Sequence, residues 1–170
     1  MKIRITAILL VFSCLLTLGS CTGGYSFTGA EINANIKTIT IEFFPNRASL
    51  VQPNLSNVFT ETLKDKFVSQ TNLELVNYGG DLKLEGEITN YKVTAQAYQG
   101  NETAALNRLT ITVKVKYTNL IEPEKDFESN FSRYADFEST QSLSSVETEL
   151  IEEISEELAI DIFNKALANW

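Results

Sequence analysis

One residue pattern in this sequence has a defined chemistry, and it lies near the N-terminus. Leu18, Gly19 and Ser20 stand directly before Cys21, and small residues before a cysteine at this place are typical of a bacterial lipobox. In a lipobox the cysteine sulfur receives a diacylglycerol, and a signal peptidase then cleaves just before the modified cysteine. We therefore predict that Cys21 is lipidated and is the first residue of the mature chain.

The segment before Cys21 has the composition of a signal peptide. Lys2 and Arg4 provide the positive charge, and the stretch from Ile5 to Leu18 provides the apolar region. This stretch is too short to cross a bilayer as a helix. We predict that residues 1–20 are a lipoprotein signal peptide. A secretory signal cleaved elsewhere and an uncleaved anchor are the alternatives.

Side chains of the usual catalytic kinds are scarce. The chain has no histidine, and of its two cysteines Cys14 would leave with the signal peptide while Cys21 would carry lipid. This excludes Ser–His and Cys–His pairs and the usual zinc sites. Carboxylates remain, either as a catalytic pair or as a calcium site built from Asp81, Glu85 and Glu87. We predict no enzyme activity, no metal and no cofactor.

The charge balance limits the class of partner. The chain carries 14 basic and 22 acidic residues, which gives a formal net charge of −8. Loss of Lys2 and Arg4 with the signal peptide would change this charge to −10. An acidic protein of this kind is a poor ligand for the phosphate backbone, so we predict no nucleic-acid partner.

Three basic residues stand out against this acidic background. Arg108, Lys114 and Lys116 occupy alternate positions in the segment 106–117. In an extended strand such residues share one face. We predict that they form a positive strip that binds anionic groups such as phosphates. The alternative is a solvated strand face whose lysines discourage pairing with other strands.

The remaining sequence predicts seven elements. Strict alternation of apolar and polar residues indicates half-buried strands, and apolar residues three or four apart indicate amphipathic helices. In chain order these are a strand over residues 37–43, a helix over 53–70, strands over 73–76, 81–98, 106–117 and 127–137, and a helix over 144–170. The order β-α-β-β-β-β-α predicts an α+β fold, with a small, mostly antiparallel sheet and two helices packed on one face. Gly86 marks a bulge or a point of close packing in the third strand.

The domain organisation follows from these elements. Residues 21–35 are small and polar and form a lipidated tether, and residues 36–170 form a single α+β domain. Within the tether Tyr25 and Phe27 either pack on the domain or belong to an edge strand. The last helix has an acidic face that is either solvated or docks on a basic partner surface. Its residues are Glu149, Glu152, Glu153, Glu156, Glu157 and Asp161.

Several segments after the lipobox carry a family resemblance. They are Gly24–Gly29, Lys37–Ile41, Phe44–Asn46, the helix after Pro53, Gly80–Leu82 and Asn107–Val113. In this order and spacing the mature chain resembles the LptE-type lipopolysaccharide-assembly lipoproteins of the Gram-negative outer membrane, in the form found in Bacteroidetes. The resemblance covers nearly the whole mature chain, although each segment alone is a weak signal.

The resemblance implies a location and a function. Proteins of this family are anchored to the outer membrane by lipid, face the periplasm, and plug and help assemble the β-barrel LptD, which inserts lipopolysaccharide into the outer leaflet. The resemblance also implies lipopolysaccharide as a ligand, and the strip argument supplies Arg108, Lys114 and Lys116 as the candidate residues. The alternative function is a free-standing, periplasm-facing lipoprotein that binds a lipid or another soluble ligand.

Overall fold

The computed structural model describes residues 32–50, 52–96 and 105–167. It contains the seven predicted elements in the predicted order. They are β1 (Thr38–Ile41), α1 (Leu55–Gln70), β2 (Glu74–Leu75), β3 (Leu82–Gln96), β4 (Leu106–Asn119), β5 (Phe127–Glu138) and α2 (Leu143–Leu167), with a 3-10 turn at Pro123–Lys125 before β5. The α+β class and the two helices are therefore confirmed.

The five strands form one mixed sheet in the order β2-β1-β3-β4-β5. β1 runs parallel to both of its neighbours, β2 and β3, whereas β3, β4 and β5 are antiparallel to one another in turn. The predicted mostly antiparallel sheet is corrected to this mixed one. The physical reason is the crossover through α1, which returns the chain to the start of the sheet, so that β2 and β3 both run alongside β1 in its own direction.

The sequence predicted either a bulge or close packing at Gly86, and the long β3–β4 hairpin contains both features. An ideal Cβ on Gly86 would lie 2.0 Å from the Lys114 carbonyl oxygen and 2.7 Å from Cε1 of Phe44, so this glycine is a point of close packing. The bulge lies further along the strand, between Ile88 and Asn90, where the register with β4 shifts by one residue. The bulge lets β3 continue to pair with β4 over the rest of its length.

Both helices cover the same face of the sheet. The β4 residues that point to this face are buried, from Leu109 to Tyr117 at every second position. Aromatic pairs join the layers: Phe44 meets Phe59 of α1 at 5.2 Å between ring centroids, and Phe67 of α1 meets Phe163 of α2 at 5.1 Å. The opposite face of the sheet therefore has no helix over it among the described residues, and it carries the polar side chains of β3, β4 and β5.

The predictions on the N-terminal segment fall outside the described residues. They concern the signal peptide 1–20, the lipidation of Cys21, and Tyr25 and Phe27 of the tether. At the end of the tether the Asn33 carbonyl accepts a hydrogen bond from the Ile36 amide, and Ile36 is buried. Within the described residues no helix is both long and apolar enough to span a membrane.

Candidate functional site

The three predicted basic residues lie on the uncovered face of the sheet. Arg108, Lys114 and Lys116 occupy alternate positions of β4, and the residues between them point into the core. Alternation along a strand gives both results, because successive side chains point to opposite faces. The structure therefore brings all three together on the face that the sequence assigned to them.

Arg108 is held by two residues of β5. Its Nε and Nη2 atoms donate to the two carboxylate oxygens of Asp136 at 2.7 and 2.8 Å, and its Cζ lies 3.6 Å from the ring centroid of Tyr134. The paired hydrogen bonds form the bidentate geometry that a guanidinium favours. The hydrogen bonds from Arg108 lower the pKa of the Asp136 carboxyl below its usual value.

The two lysines of the strip also have carboxylate partners. Lys114 lies 2.5 Å from Glu128 of β5, and Lys116 lies 2.8 Å from Glu85 of β3. Lys83 adds a third lysine, which bridges Glu85 at 2.6 Å and Glu42 at 2.7 Å. The hydrogen bond with Glu128 raises the pKa of Lys114, and the hydrogen bond with Glu85 raises the pKa of Lys116. Both lysines are therefore fully charged at neutral pH.

Acidic partners make the uncovered face a row of ion pairs and not an uninterrupted positive strip. Sequence reasoning missed these partners, although it considered Glu85 and Glu87 as calcium ligands. The missing information was the register, which sets Glu85 opposite Lys116 and Glu87 opposite Lys114. Exposed ion pairs are weak and are screened by salt. An anionic ligand could therefore exchange with these carboxylates at low cost.

Part of the acidic face of α2 has basic partners within the chain. Arg133 of β5 donates to both carboxylate oxygens of Asp161 at 2.6 Å and lies 4.0 Å from Glu157. Lys66 of α1 contacts Glu156 at 2.9 Å. These contacts fasten α2 to the sheet edge on one side and to α1 on the other. The sequence left open whether this face is solvated or docks on a basic partner surface; Glu156, Glu157 and Asp161 lie instead beside basic groups of the same chain.

The acidic residues considered for a calcium site have other roles. One Asp81 oxygen accepts hydrogen bonds from the amides of Lys37 and Thr38 at 2.8 and 2.9 Å and from the Thr38 hydroxyl at 2.9 Å. Glu85 is shared between two lysines. No group of three or more potential metal-ligating residues occurs in the part of the chain that the structure describes.

Comparison with protein families identifies the domain. The family model of LptE, described as lipopolysaccharide-assembly, matches residues 36–166. The chain belongs to the LptE family. The match begins just before β1 and ends within the last turn of α2, so it covers the whole described fold.

Solved structures share the architecture of this LptE-family chain at low sequence identity. A minor lipoprotein from Acinetobacter baumannii superposes with a TM-score of 0.52 and 14% identity, over 77% of this chain and 92% of that one. A neuraminyllactose-binding hemagglutinin homologue from Helicobacter pylori gives a TM-score of 0.52 and 7% identity, over 85% of this chain and 90% of that one. At these identities the likeness concerns the fold alone. No curated protein sequence matches the chain.

The family match confirms the predicted resemblance. It gives the LptE-family chain a role in lipopolysaccharide assembly and associates it with the lipopolysaccharide transport machinery of the cell envelope. The residue-level prediction for Arg108, Lys114 and Lys116 is not tested by the family match and stays a prediction.

Proposed function

We propose that this LptE-family protein is anchored to the outer membrane through lipid on Cys21, faces the periplasm, and plugs and helps assemble the barrel LptD. The observation that carries the proposal is the family match over residues 36–166, which includes every strand, α1 and α2 up to its last turn. A plug acts by filling space and presenting surfaces. Such a role needs a rigid, well-packed domain and requires no reacting group.

The composition of the chain supports a role without catalysis. The full sequence contains no histidine, and three carboxylates of the uncovered face, Glu85, Glu128 and Asp136, are engaged with lysine and arginine side chains. A carboxylate held ionised by a cation is a poor general acid, because its pKa is lowered. We therefore propose that the protein is not an enzyme.

Within this function we propose that the uncovered sheet face binds the phosphates of lipopolysaccharide. Arg108, Lys114 and Lys116 are spaced along β4, so that they can meet a row of anionic groups. The net negative charge of the chain gives no long-range attraction for a polyanion. Binding is therefore an exchange at short range, in which each phosphate replaces a carboxylate such as Glu85 beside its cation.

Gentle extraction of the membrane followed by affinity purification of the full chain tests the plug. We expect one barrel protein of the LptD type to co-purify in a stoichiometric amount. The matched control is Cys21→Ala, which should remove fatty-acid labelling and reduce recovery of the chain from the membrane fraction. Recovery of the acylated chain without a barrel partner would contradict the plug.

That contradictory result would favour the alternative, a free-standing lipoprotein with its own lipid or soluble ligand. The packing of the domain is a reason to prefer the plug. Between the helices and the sheet lie fully buried side chains, including Phe59, Phe67, Leu109, Ile111 and Ile154. A lipid chain entering this layer would have to displace close-packed side chains, which costs several kcal/mol, on the order of a large core substitution.

A further inference from the structure

The sheet has one long open edge among the residues that the structure describes. Its outermost strands are β2, with 2 residues, and β5, with 12 residues. β4 pairs with the inner side of β5 from Phe127 to Glu138, and no described strand pairs with the outer side. β5 is therefore the edge strand with the longer row of unpaired backbone groups.

Hydrogen bonds at the end of β5 determine which of its backbone groups point outward. The Ser139 amide donates to the Ala105 carbonyl at 2.9 Å, just beyond the paired strands. Because bonding alternates along an antiparallel pair, the odd-numbered residues of β5 bond to β4 and the even-numbered ones point away. The Glu138 carbonyl agrees with this pattern, since it accepts from the Gln141 amide at 3.0 Å. The outward amides belong to residues that are all exposed: Glu128, Asn130, Ser132, Tyr134 and Asp136.

The outer edge of β5 lacks the usual protection of an edge strand. Natural proteins commonly block such edges with lysine, proline or a bulge. The sequence of β5 contains neither lysine nor proline, and its pairing with β4 runs without a shift of register. An exposed edge of this kind is a template on which another strand can form.

The side chains on the two sides of this edge differ in chemistry. Toward the helices lie Phe127 and Phe131, which pack against the core and whose ring centroids are 6.3 Å apart. On the uncovered face the charged side chains of β5 are all carboxylates, namely Glu128, Asp136 and Glu138. A strand added beside β5 would alternate its side chains between the same two faces. Apolar residues would then lie beside the phenylalanines, and basic residues would lie beside the carboxylates.

Acidic groups outnumber basic ones at this edge. The three cations beside it already have carboxylate partners: Arg108 with Asp136, Lys114 with Glu128, and Arg133 with Asp161 of α2. Two further carboxylates lie there, since Glu138 accepts a hydrogen bond from the Thr140 hydroxyl and Glu157 is 4.0 Å from Arg133. The formal net charge of the whole chain, −8, has the same sign. The protein therefore attracts a basic partner over a distance as well as at the edge.

We propose that the outer edge of β5 pairs with an extended segment of a partner polypeptide in which basic and apolar residues alternate. Backbone hydrogen bonds to the five outward amides and their carbonyls would supply affinity, and the two rows of side chains would supply specificity. The inference goes beyond the proposed function and does not depend on it.

Two other occupants fit this edge less well. The wall strands of a closed barrel are already paired on both sides, so a barrel protein would supply a loop or a chain end and not a wall strand. A second copy of this chain would place one acidic edge against another. Like charges opposite each other destabilise a strand pair.

Binding of a defined strand-forming peptide to the acylated full chain tests the proposal. The probe is a fluorescein-labelled octapeptide of alternating lysine and valine, blocked at both ends, and the control probe has glutamate in place of lysine. We expect the lysine peptide to bind at least tenfold more tightly than the glutamate peptide and to lose affinity as salt is raised. Fluorescence anisotropy in a non-ionic detergent measures both affinities without a barrel protein.

Two substitutions at Asn130 separate the backbone of the edge from its side chains. Asn130→Pro removes an outward amide and leaves the bonds of Ser129 and Phe131 to β4, since proline is tolerated where the missing N–H faces away from the ladder. Asn130→Ala removes the same side chain and keeps the amide. We expect affinity for the lysine peptide to fall about tenfold in the proline variant, the order of one lost hydrogen bond. The alanine variant should bind like the parent protein, and circular dichroism checks that both variants are folded.

Hydrogen exchange of the parent protein gives a second measurement that needs no variant. Bound lysine peptide should slow the exchange of the outward amides of Asn130, Ser132 and Tyr134 by about tenfold or more. The inward amides of Phe131 and Arg133 should change little, because they already bond to β4. Mass spectrometry with fragmentation of single residues resolves the two sets.

Three results would overturn the proposal. Equal binding by the two Asn130 variants, or equal slowing of inward and outward amides, would exclude the edge as the site. Equal binding of the lysine and glutamate peptides would exclude a basic partner. Slow exchange of the outward amides before peptide is added would show that the same chain or a second copy covers the edge, and light scattering distinguishes these two. Recovery of the barrel is a separate measurement, so failure of the plug does not affect this test.

Discussion

Lys116 and Glu85 lie directly opposite each other on β4 and β3, and their side chains form an ion pair of 2.8 Å. The same carboxylate also contacts Lys83 at 2.6 Å, and hydrogen bonds from Lys116 and Lys83 lower the pKa of Glu85. One carboxylate therefore neutralises two cations of the candidate lipopolysaccharide surface. Glu85 therefore competes with the proposed anionic ligand for these two lysines.

Removal of the competing carboxylates should strengthen binding of lipopolysaccharide. Glu85→Gln with Glu128→Gln keeps the side-chain volume and frees Lys116 and Lys114 from their partners. We expect affinity to rise about two- to five-fold for each pair, the range given by exposed ion pairs. Titration with lipopolysaccharide at low and high salt measures the effect, with Glu61→Gln on α1 as the control. Unchanged affinity would mean that the phosphates do not meet these lysines.

Charge reversal of the strip should weaken binding. Arg108→Glu with Lys114→Glu places like charges beside Asp136 and Glu128, the present ion-pair partners, and repels phosphate as well. The matched control is Lys64→Glu with Lys66→Glu, which makes the same change in net charge on α1. We expect at least a tenfold loss for the strip variant and a smaller change for the control, measured in the same titration. Equal losses in both variants would assign the effect to net charge alone.

Sequence patterns predicted those features that depend on local order. Alternation in β4 was enough to place Arg108 and Lys116 on one face and Val113 in the core. The position of β1 between β2 and β3, and the carboxylates opposite the strip, were not predicted. Both depend on which strands become neighbours and in what register, and these are set by packing between distant segments. The bulge at Ile88 was not predicted either, because no glycine lies at that position.

Gly86 should be among the least replaceable residues of the sheet. A Cβ at this position would lie 2.0 Å from the Lys114 carbonyl oxygen, a backbone atom that cannot move without disturbing the β3–β4 pairing. Gly86→Ala should reduce the free energy of unfolding by about 3 kcal/mol, at the upper end of the usual cost of overpacking. Urea denaturation monitored by circular dichroism gives this value.

Gly79 provides the comparison for that substitution. Its φ of 72° strains any residue with a side chain, but nothing lies within 4 Å of the added Cβ. Gly79→Ala should therefore cost only about 1 kcal/mol, the penalty for left-handed backbone. A larger loss for Gly79→Ala than for Gly86→Ala would contradict the close contact between Gly86 and β4.

Asp81 should make the stability of the domain depend on pH. Hydrogen bonds from the Lys37 and Thr38 amides, and then from the Thr38 hydroxyl, lower the pKa of Asp81 in the folded state. Its contribution is therefore complete above the unfolded pKa of about 4 and is lost as the pH falls through the lower folded value. Asp81→Asn should be less stable at neutral pH and lose less stability on acidification. Urea midpoints at about pH 7, 5 and 3 test this, and equal acid sensitivity of Asp81→Asn and the parent protein would contradict it.

Two buried hydroxyl groups should respond to substitution in opposite directions. Ser155 of α2 is fully buried, and its Oγ atom has no hydrogen-bond partner among the described residues. Thr60 of α1 is also buried, but its hydroxyl accepts a hydrogen bond from the Phe44 amide at 3.1 Å.

Burial of an unpaired hydroxyl costs about 1–3 kcal/mol. Removal of one partner of a buried hydrogen bond leaves the other partner unpaired, at a similar cost. Ser155→Ala should therefore raise the free energy of unfolding by about 1 kcal/mol, and Thr60→Val should lower it by about 1–2 kcal/mol. Urea denaturation of both variants measures the difference, and destabilisation by Ser155→Ala would show that this hydroxyl is bonded in solution.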